Sequence, residues 1–195
     1  MKLYQKLPEP RPIERYDIVI GRGVEPEVGA MLYALVRLIK PRILVETGTH
    51  VGDSASWIGR ALYDNARSGY RDNFGSLVTC DIDQEKVDNA NRRFQEEGIG
   101  QYVRAVCSTG QQLIESYGNC EGLGLAHVDS GAYDVRKAEL MSLGDHNIIP
   151  GGVVCYHDAS RDMVGIYEEF AQVRDWPHLI LPSYVGMAVF MRPEK

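Results

Sequence analysis

The chain has 195 residues, 44% hydrophobic and 25% charged, the size and composition of one globular domain, which excludes collagen-like and low-complexity classes. Its 21 Lys and Arg against 27 Asp and Glu leave a net charge of -6, the wrong sign for a non-specific nucleic-acid binder. The imbalance is uneven: residues 1–40 hold seven basic and five acidic groups, so the excess acid lies in the main body, which suits a cationic ligand or a metal ion.

No run approaches the roughly 18 apolar residues of a membrane span, and the start MKLYQKLPEPRPIERYD lacks the apolar core of a signal peptide. A cytoplasmic location without membrane contact is therefore expected. Cys80, Cys107, Cys120 and Cys155 show no CxxC or CxxH spacing, which argues against zinc. They read as free thiols, mostly buried, in a reducing compartment.

In chain order, Pro8, Pro10 and Pro12 describe an extended arm, and Pro26–Lys40 a helix with proline in its first turn, stopped by Pro41. Short β-branched runs then alternate with amphipathic segments. The predicted strands are Arg42–Glu46, Ser76–Cys80, Tyr102–Val106, Leu123–Val128 and Gly152–Tyr156. The predicted helices between and after them are Ser54–Ala66, Gln84–Glu97, Gln111–Tyr117, Tyr133–Leu143 and Asp162–Arg174. Strand–helix alternation implies right-handed crossovers and a parallel sheet covered on both faces. His178–Leu181 and Val185–Met191 are too close in sequence for anything but an antiparallel hairpin. The fold expected is thus α/β: one doubly wound, Rossmann-like domain over residues 1–195, with an arm and lid helix (1–40) and a core (41–195) whose seven-stranded sheet is mostly parallel and ends in the hairpin.

The first strand ends Glu46-Thr47-Gly48-Thr49-His50-Val51-Gly52-Asp53-Ser54. Glycines at such a turn let the backbone bend and let a ligand approach the main chain; Asp53 or Ser54 would cap the next helix. Three glycines in G-x-G-x-x-G spacing are missing, and a carboxylate at Glu46 suits an amine and a sulfonium better than a pyrophosphate. An ordinary strand–helix turn is the plain alternative. After the second strand, Asp81 is placed to hold ribose hydroxyls, whereas Asp83 reads as the cap of the helix from Gln84.

ExGxxxG at Glu46–Gly52, Asp81-Ile82-Asp83, and the late Pro150-Gly151-Gly152 strand together resemble the class I S-adenosylmethionine-dependent methyltransferases. The stretch EPEVGAMLYALVRLIKPRILVETGT is similar to the lead-in of the catechol and caffeoyl-CoA O-methyltransferases, and His157-Asp158 to the macrocin O-methyltransferase type. The resemblance implies a fold that binds S-adenosylmethionine, with Glu46, Gly48, Thr49, His50, Gly52 and Ser54 around the methionine part, Asp81 on the ribose, and Ile82 and Ser108 near the adenine. It implies O-methylation of a small hydroxylated acceptor; residues 1–30, extended by Pro8, Pro10 and Pro12, are expected to fold over that acceptor. The arm's positive charge would meet an acidic acceptor or a second subunit of a homodimer.

Asp129, His157 and Asp158 end neighbouring strands and so gather on one sheet edge. Two carboxylates and an imidazole can hold Mg²⁺ or another divalent metal, which would polarise the acceptor oxygen; the resemblance places metal ligands at these three positions. His157, with Asp129, is equally a candidate for metal-free base catalysis. Three residues past Asp129, where the resembled families carry Lys or His, stands Ala132. That departure keeps a non-catalytic S-adenosylmethionine-binding protein open beside the enzyme, and a nicotinamide-dependent oxidoreductase remains the other alternative. His127 reads as a satisfied core histidine, and His146 and His178 as loop or strand-edge residues. Tyr16, Trp57, Tyr133, Tyr156 and Tyr184 are candidate walls of the acceptor pocket.

Overall fold

The computed structural model describes residues 23–68, 75–118, 122–159, 163–183 and 185–194. Among the described residues six helices and seven strands follow in the order α1 (Pro26–Ile39), β1 (Ile43–Thr47), α2 (Asp53–Arg67), β2 (Ser76–Asp81), α3 (Gln84–Glu96), β3 (Val103–Cys107), α4 (Gly110–Gly118), β4 (Leu123–Val128), α5 (Tyr133–Ser142), β5 (Ile148–His157), α6 (Val164–Arg174), β6 (His178–Leu181) and β7 (Met187–Met191). The arm, Tyr16, Tyr184 and Cys120 lie outside the described residues.

The strands form one sheet in the order β3-β2-β1-β4-β5-β7-β6. β1 to β5 are parallel, and β7 lies antiparallel between β5 and β6, closing the expected hairpin. Alternating side chains feed two cores, as the period of two requires. Val45, Val78, Ala126, Val128 and Tyr156 pack against Leu113 of α4, Leu140 of α5 and Phe170 of α6. Leu44, Leu77, Leu125, Val153 and Cys155 pack against Leu32 of α1, Ile58 of α2 and Phe94 of α3.

Two boundaries differ from the sequence reading. β5 starts at Ile148 rather than Gly152, because the chain pairs with β4 on both sides of an irregularity, Leu123 opposite Ile148 and Leu125 opposite Val153. β7 starts at Met187, since Gly186 turns with φ 79° and the Val185 N–H is spent on Glu25. Cys80 and Cys155 are buried free thiols, but Cys107, at the end of β3, is exposed. Trp57 serves the packing of α1 on α2: a Cβ at Gly29 would fall 2.3 Å from its Nε1, so only glycine lets the helices meet there. No helix among the described residues is long and apolar enough to cross a membrane.

Candidate active site

The turn between β1 and α2 depends on left-handed backbone at Gly48 (φ 89°), His50 (φ 46°) and Gly52 (φ 80°). The N–H groups of Gly48 and Thr49 both donate to the Cys80 carbonyl at 2.9 Å, which ties the turn to the tip of β2. A Cβ at Gly48 would stand 2.4 Å from the Asp129 carbonyl oxygen, so this glycine is also what lets β1 and β4 end side by side. The expected side-chain cap of α2 is absent: Gly52 occupies the N-cap, Ser54 is buried in the first turn, and Asp53 pairs with Arg93 of α3. Arg93 also donates to the Val51 carbonyl at 3.0 Å and to Glu97 at 2.8 Å, bracing the turn from outside. Among the described residues no side chain caps the first amides of α2.

At the tip of β2, Asp81 accepts the N–H of His50 through Oδ2 and that of Asp83 through Oδ1, both at 3.0 Å. Two backbone donors aim this carboxylate, and an ionised carboxylate has about four acceptor sites, so lone pairs remain for two vicinal hydroxyls. Asp83 caps α3 by accepting from the N–H groups of Glu85 and Lys86, as expected. Ile82 stands 78% exposed beside Asp81, an apolar side chain that no core uses. Ser108 reaches the same spot, its N–H donating to the Asp81 carbonyl at 3.1 Å.

The Glu46 carboxylate does not line an open crevice. It is fully buried, with Oε1 accepting from Thr79 Oγ1 at 2.8 Å and Oε2 2.9 Å from His127 Nδ1. Thr49 continues this chain inward, its hydroxyl 2.7 Å from that of Thr79. The side chains of Glu46 and Thr49 therefore shape the turn from beneath, because both sit on the face that α1 and α2 cover. His127 is the core histidine expected of it, fully buried on Glu46.

At the ends of β4 and β5 the three acid-cluster residues converge: ligand atoms of Asp129, His157 and Asp158 lie within 4.8 Å of one another. His157 is clasped from both sides. Its Nε2 is 2.8 Å from Glu25 Oε2 at the start of α1, and its Nδ1 is 3.0 Å from Asp129 Oδ1. Burial works against charge on this ring, yet the facing Asp129 and Glu25 carboxylates override it and hold the imidazolium up to about 10. Burial likewise opposes the Glu25 and Asp129 carboxylates, and the same ring keeps both below their ordinary values. Asp158, in left-handed backbone at φ 56°, accepts from Arg136 Nη1 at 2.7 Å.

Glu25, Arg136, Glu139 and Thr79 escaped the sequence reading. Glu139 of α5 is buried, accepts from Thr47 at 2.8 Å and from Ser130, and its carboxyl is raised by burial. The one available signal was on α5, where Arg136, Glu139 and Leu140 follow the 3-4 spacing of a buried stripe with charges in place of apolar residues. Of the proposed pocket walls, Tyr156 is fully buried with its hydroxyl directed at Arg136 of the acid cluster, whereas Tyr133 is 41% exposed at the start of α5. His146 and His178 are exposed, away from this edge.

Residues 45–159 match the family profile described as a methyltransferase domain, more than half of the chain and the whole span from the Gly48 turn to Asp158. The chain belongs to this methyltransferase family. A Mycolicibacterium vanbaalenii protein that bears the name O-methyltransferase is 30% identical over 168 residues, 83% of this chain and 69% of its own length. A namesake from Mycobacterium sp. (strain JLS) is 32% identical over 143 residues, 72% of this chain but 60% of the relative. Several of these relatives thus extend well beyond the matched region. Among solved structures, an O-methyltransferase from Bacillus cereus in complex with SAH superposes with a TM-score of 0.70 at 17% identity, covering 88% of this chain and 83% of that one. The O-methyltransferase TomG of Streptomyces achromogenes, involved in tomaymycin synthesis and solved with SAM, gives 0.65 at 19% identity, covering 88% and 82%. At such identities the likeness is one of fold.

In this methyltransferase a cleft of about 510 Å³ lies between Lys40, Arg42, Gly122, Gly152 and Glu194, at the N-terminal ends of β1, β4 and β5. It is on the opposite edge from the Gly48 turn, Asp81 and Asp129 and shares no residue with them.

Proposed function

We propose that this methyltransferase carries the methyl group of S-adenosylmethionine to a hydroxyl of a small molecule. The observation that carries the reading is the tip of β2: a carboxylate at Asp81 aimed by two backbone donors, with spare lone pairs, beside the exposed Ile82 and the Gly48–Gly52 turn. Those parts suit a ribose diol, an adenine face and a methionine tail in that order. The similarity in fold to proteins solved with SAM and SAH supports the same assignment. S-adenosylmethionine supplies an electrophilic sulfonium methyl when bound. The chain's part is to hold the two partners in line and to manage the acceptor's proton.

For that proton the geometry favours Asp129 over His157. His157 is held as an imidazolium between two carboxylates, which leaves it no lone pair at neutral pH. Asp129 is ionised and 21% exposed at the crevice. It is a weak base, so it suits an acceptor whose hydroxyl is itself acidic, such as a phenol or an enol. Glu25 brings the start of α1 onto His157, beside the acid cluster. Ala132, the N-cap of α5, offers no polar side chain at the place of the usual helper base, which is the observation on the side of a binding protein without catalysis.

Calorimetry with S-adenosylmethionine, its demethylated product and NAD tests the assignment. The first two bind, and Asp81→Asn weakens them about 10- to 100-fold, the worth of a charge-assisted hydrogen bond pair. NAD binding without S-adenosylmethionine binding sinks the reading. Binding without turnover across phenols, enols and sugars leaves the non-catalytic protein.

A further inference from the structure

We infer that the Arg136 guanidinium is the resident cation of the acid cluster, in the place where a divalent metal would sit, so that this methyltransferase works without one. The inference rests on the methyltransferase reading above and concerns how its site is neutralised. Asp129, His157 and Asp158 have the right types and closeness for a metal. Yet one oxygen of each carboxylate already faces Arg136, and both ring nitrogens of His157 face carboxylates.

Arg136 is 5% exposed and sits one turn into α5, on the same helical face as Ala132, whose carbonyl accepts its N–H at 3.0 Å. From there the guanidinium reaches across the ends of β4 and β5. Nη1 donates to Asp158 Oδ2 at 2.7 Å and to the His157 carbonyl at 3.3 Å; Nη2 stands 3.5 Å from Asp129 Oδ1; Nε donates to the Ser130 carbonyl. One planar cation thus joins both carboxylates and two strand-end carbonyls, the fork geometry in which arginine excels.

A divalent ion bound at about 2.1–2.6 Å needs carboxylate oxygens turned towards it and away from other cations. Here both carboxylates are turned towards Arg136. The third donor is no freer: His157 Nε2 is 2.8 Å from the Glu25 carboxylate, a contact that needs an N–H there. Its Nδ1 lies 3.0 Å from Asp129 Oδ1, where a lone pair would set two acceptors against each other. Placing a dication among these groups would set it against a buried guanidinium. The arrangement also gives Ala132 a reason. With a fixed positive charge one turn away on the same face, the crevice already has the cation that steadies a developing oxyanion.

Mn²⁺ binding read by electron paramagnetic resonance, in the absence of cofactor and acceptor, tests this. The wild-type protein is expected to leave the free Mn²⁺ signal undiminished at submillimolar metal. Arg136→Met, which uncovers both carboxylates, is expected to bind Mn²⁺ at least about tenfold more tightly, and Asp158→Ala in that background to abolish the binding. Should Arg136→Met not fold, Arg136→Lys takes its place: its shorter single ammonium cannot span both acids, so weak Mn²⁺ binding appears. Mn²⁺ binding by the wild type that Asp158→Ala removes overturns the inference, as does a folded Arg136 variant that binds none. Failure of the methyltransferase reading would show separately, as no calorimetric binding of S-adenosylmethionine.

Discussion

Glu25→Ala is the substitution with the most to say about how the site is assembled. The Glu25 side chain is 8% exposed and makes three contacts, to His157 Nε2 at 2.8 Å, Val185 N at 3.2 Å and Ser183 Oγ at 3.3 Å. The first is a charge-assisted bond worth about 1.5–3 kcal/mol, and the two longer ones add about 0.5 kcal/mol each. Asp129 still faces His157 in the variant, so the full cost of an orphaned buried charge is not incurred. The expected loss is therefore about 3 kcal/mol, or about 6–12 °C in Tm for a domain of this size.

The pH dependence follows from both partners. The His157 value is raised in the fold from an ordinary 6.5 to about 10, so its contribution is complete below about 6.5 and declines as pH rises towards 10. The Glu25 value is lowered from 4.5, so its contribution is complete above that and lost as pH falls through the lowered value. The stability gap between wild type and Glu25→Ala should be widest between about pH 4.5 and 6.5 and should narrow steadily above it. Urea unfolding at a series of pH values measures this, with the exposed Glu27→Ala as a control expected to cost under about 0.5 kcal/mol. A gap below about 1 kcal/mol, or one that widens between pH 7 and 9.5, would refute the assignment of Glu25 as the partner of a charged His157.

Three further substitutions probe the other contacts. Gly48→Ala places a methyl against the Asp129 carbonyl in left-handed backbone, so it should cost at least about 2 kcal/mol and weaken S-adenosylmethionine more than tenfold by calorimetry. Thr79→Val removes the hydroxyl between Glu46 and Thr49 while keeping the shape; leaving a buried carboxylate short of a donor should cost about 1–3 kcal/mol in urea unfolding. Gly29→Ala drives a methyl into Trp57 and should lower stability by about 1–3 kcal/mol with a change in tryptophan fluorescence, whereas Ala30, exposed one residue on, should accept serine within about 0.5 kcal/mol.

The strands were legible because a sheet covered on both faces demands short apolar runs, and Leu123–Val128 and His178–Leu181 have the same bounds in sequence and structure. The start of β5 was not, since Pro150-Gly151-Gly152 reads as a turn until the irregular pairing with β4 is seen. The Gly48 turn, Asp81, Asp129 and Asp158 were legible for a topological reason: strand ends of a parallel sheet open on one edge, and these residues sit at those ends. Glu25 and Arg136 reach the same place by other routes. Glu25 is 132 residues from His157 in sequence, and Arg136 lies inside a helix where an arginine ordinarily faces water. A period places a residue on a face of its own element; it cannot say that the far end of a long side chain crosses to another.

That distinction bears on the acidic balance of the main body. Part of the excess is buried at the site and not spread over the surface: Glu25, Glu46 and Glu139 are all under 9% exposed, and Asp129 and Asp158 are partly covered. Against these five carboxyls the same region buries one permanent cation, Arg136, with His157 and His127 as the titratable remainder. The imbalance is bearable because hydroxyls take up much of it, Thr79 on Glu46 and Thr47 and Ser130 on Glu139, and because burial raises Glu139 towards its neutral form. A pyrophosphate brought to such an edge would meet carboxylates at the ends of β2, β4 and β5, with one guanidinium already committed to the latter two. A sulfonium and an ammonium meet the opposite: a crevice whose fixed charge is net negative and whose own cation is tied down beneath it. The preference for a cationic cofactor over a dinucleotide therefore follows from where the charges are held, which the net charge of the chain alone does not reveal.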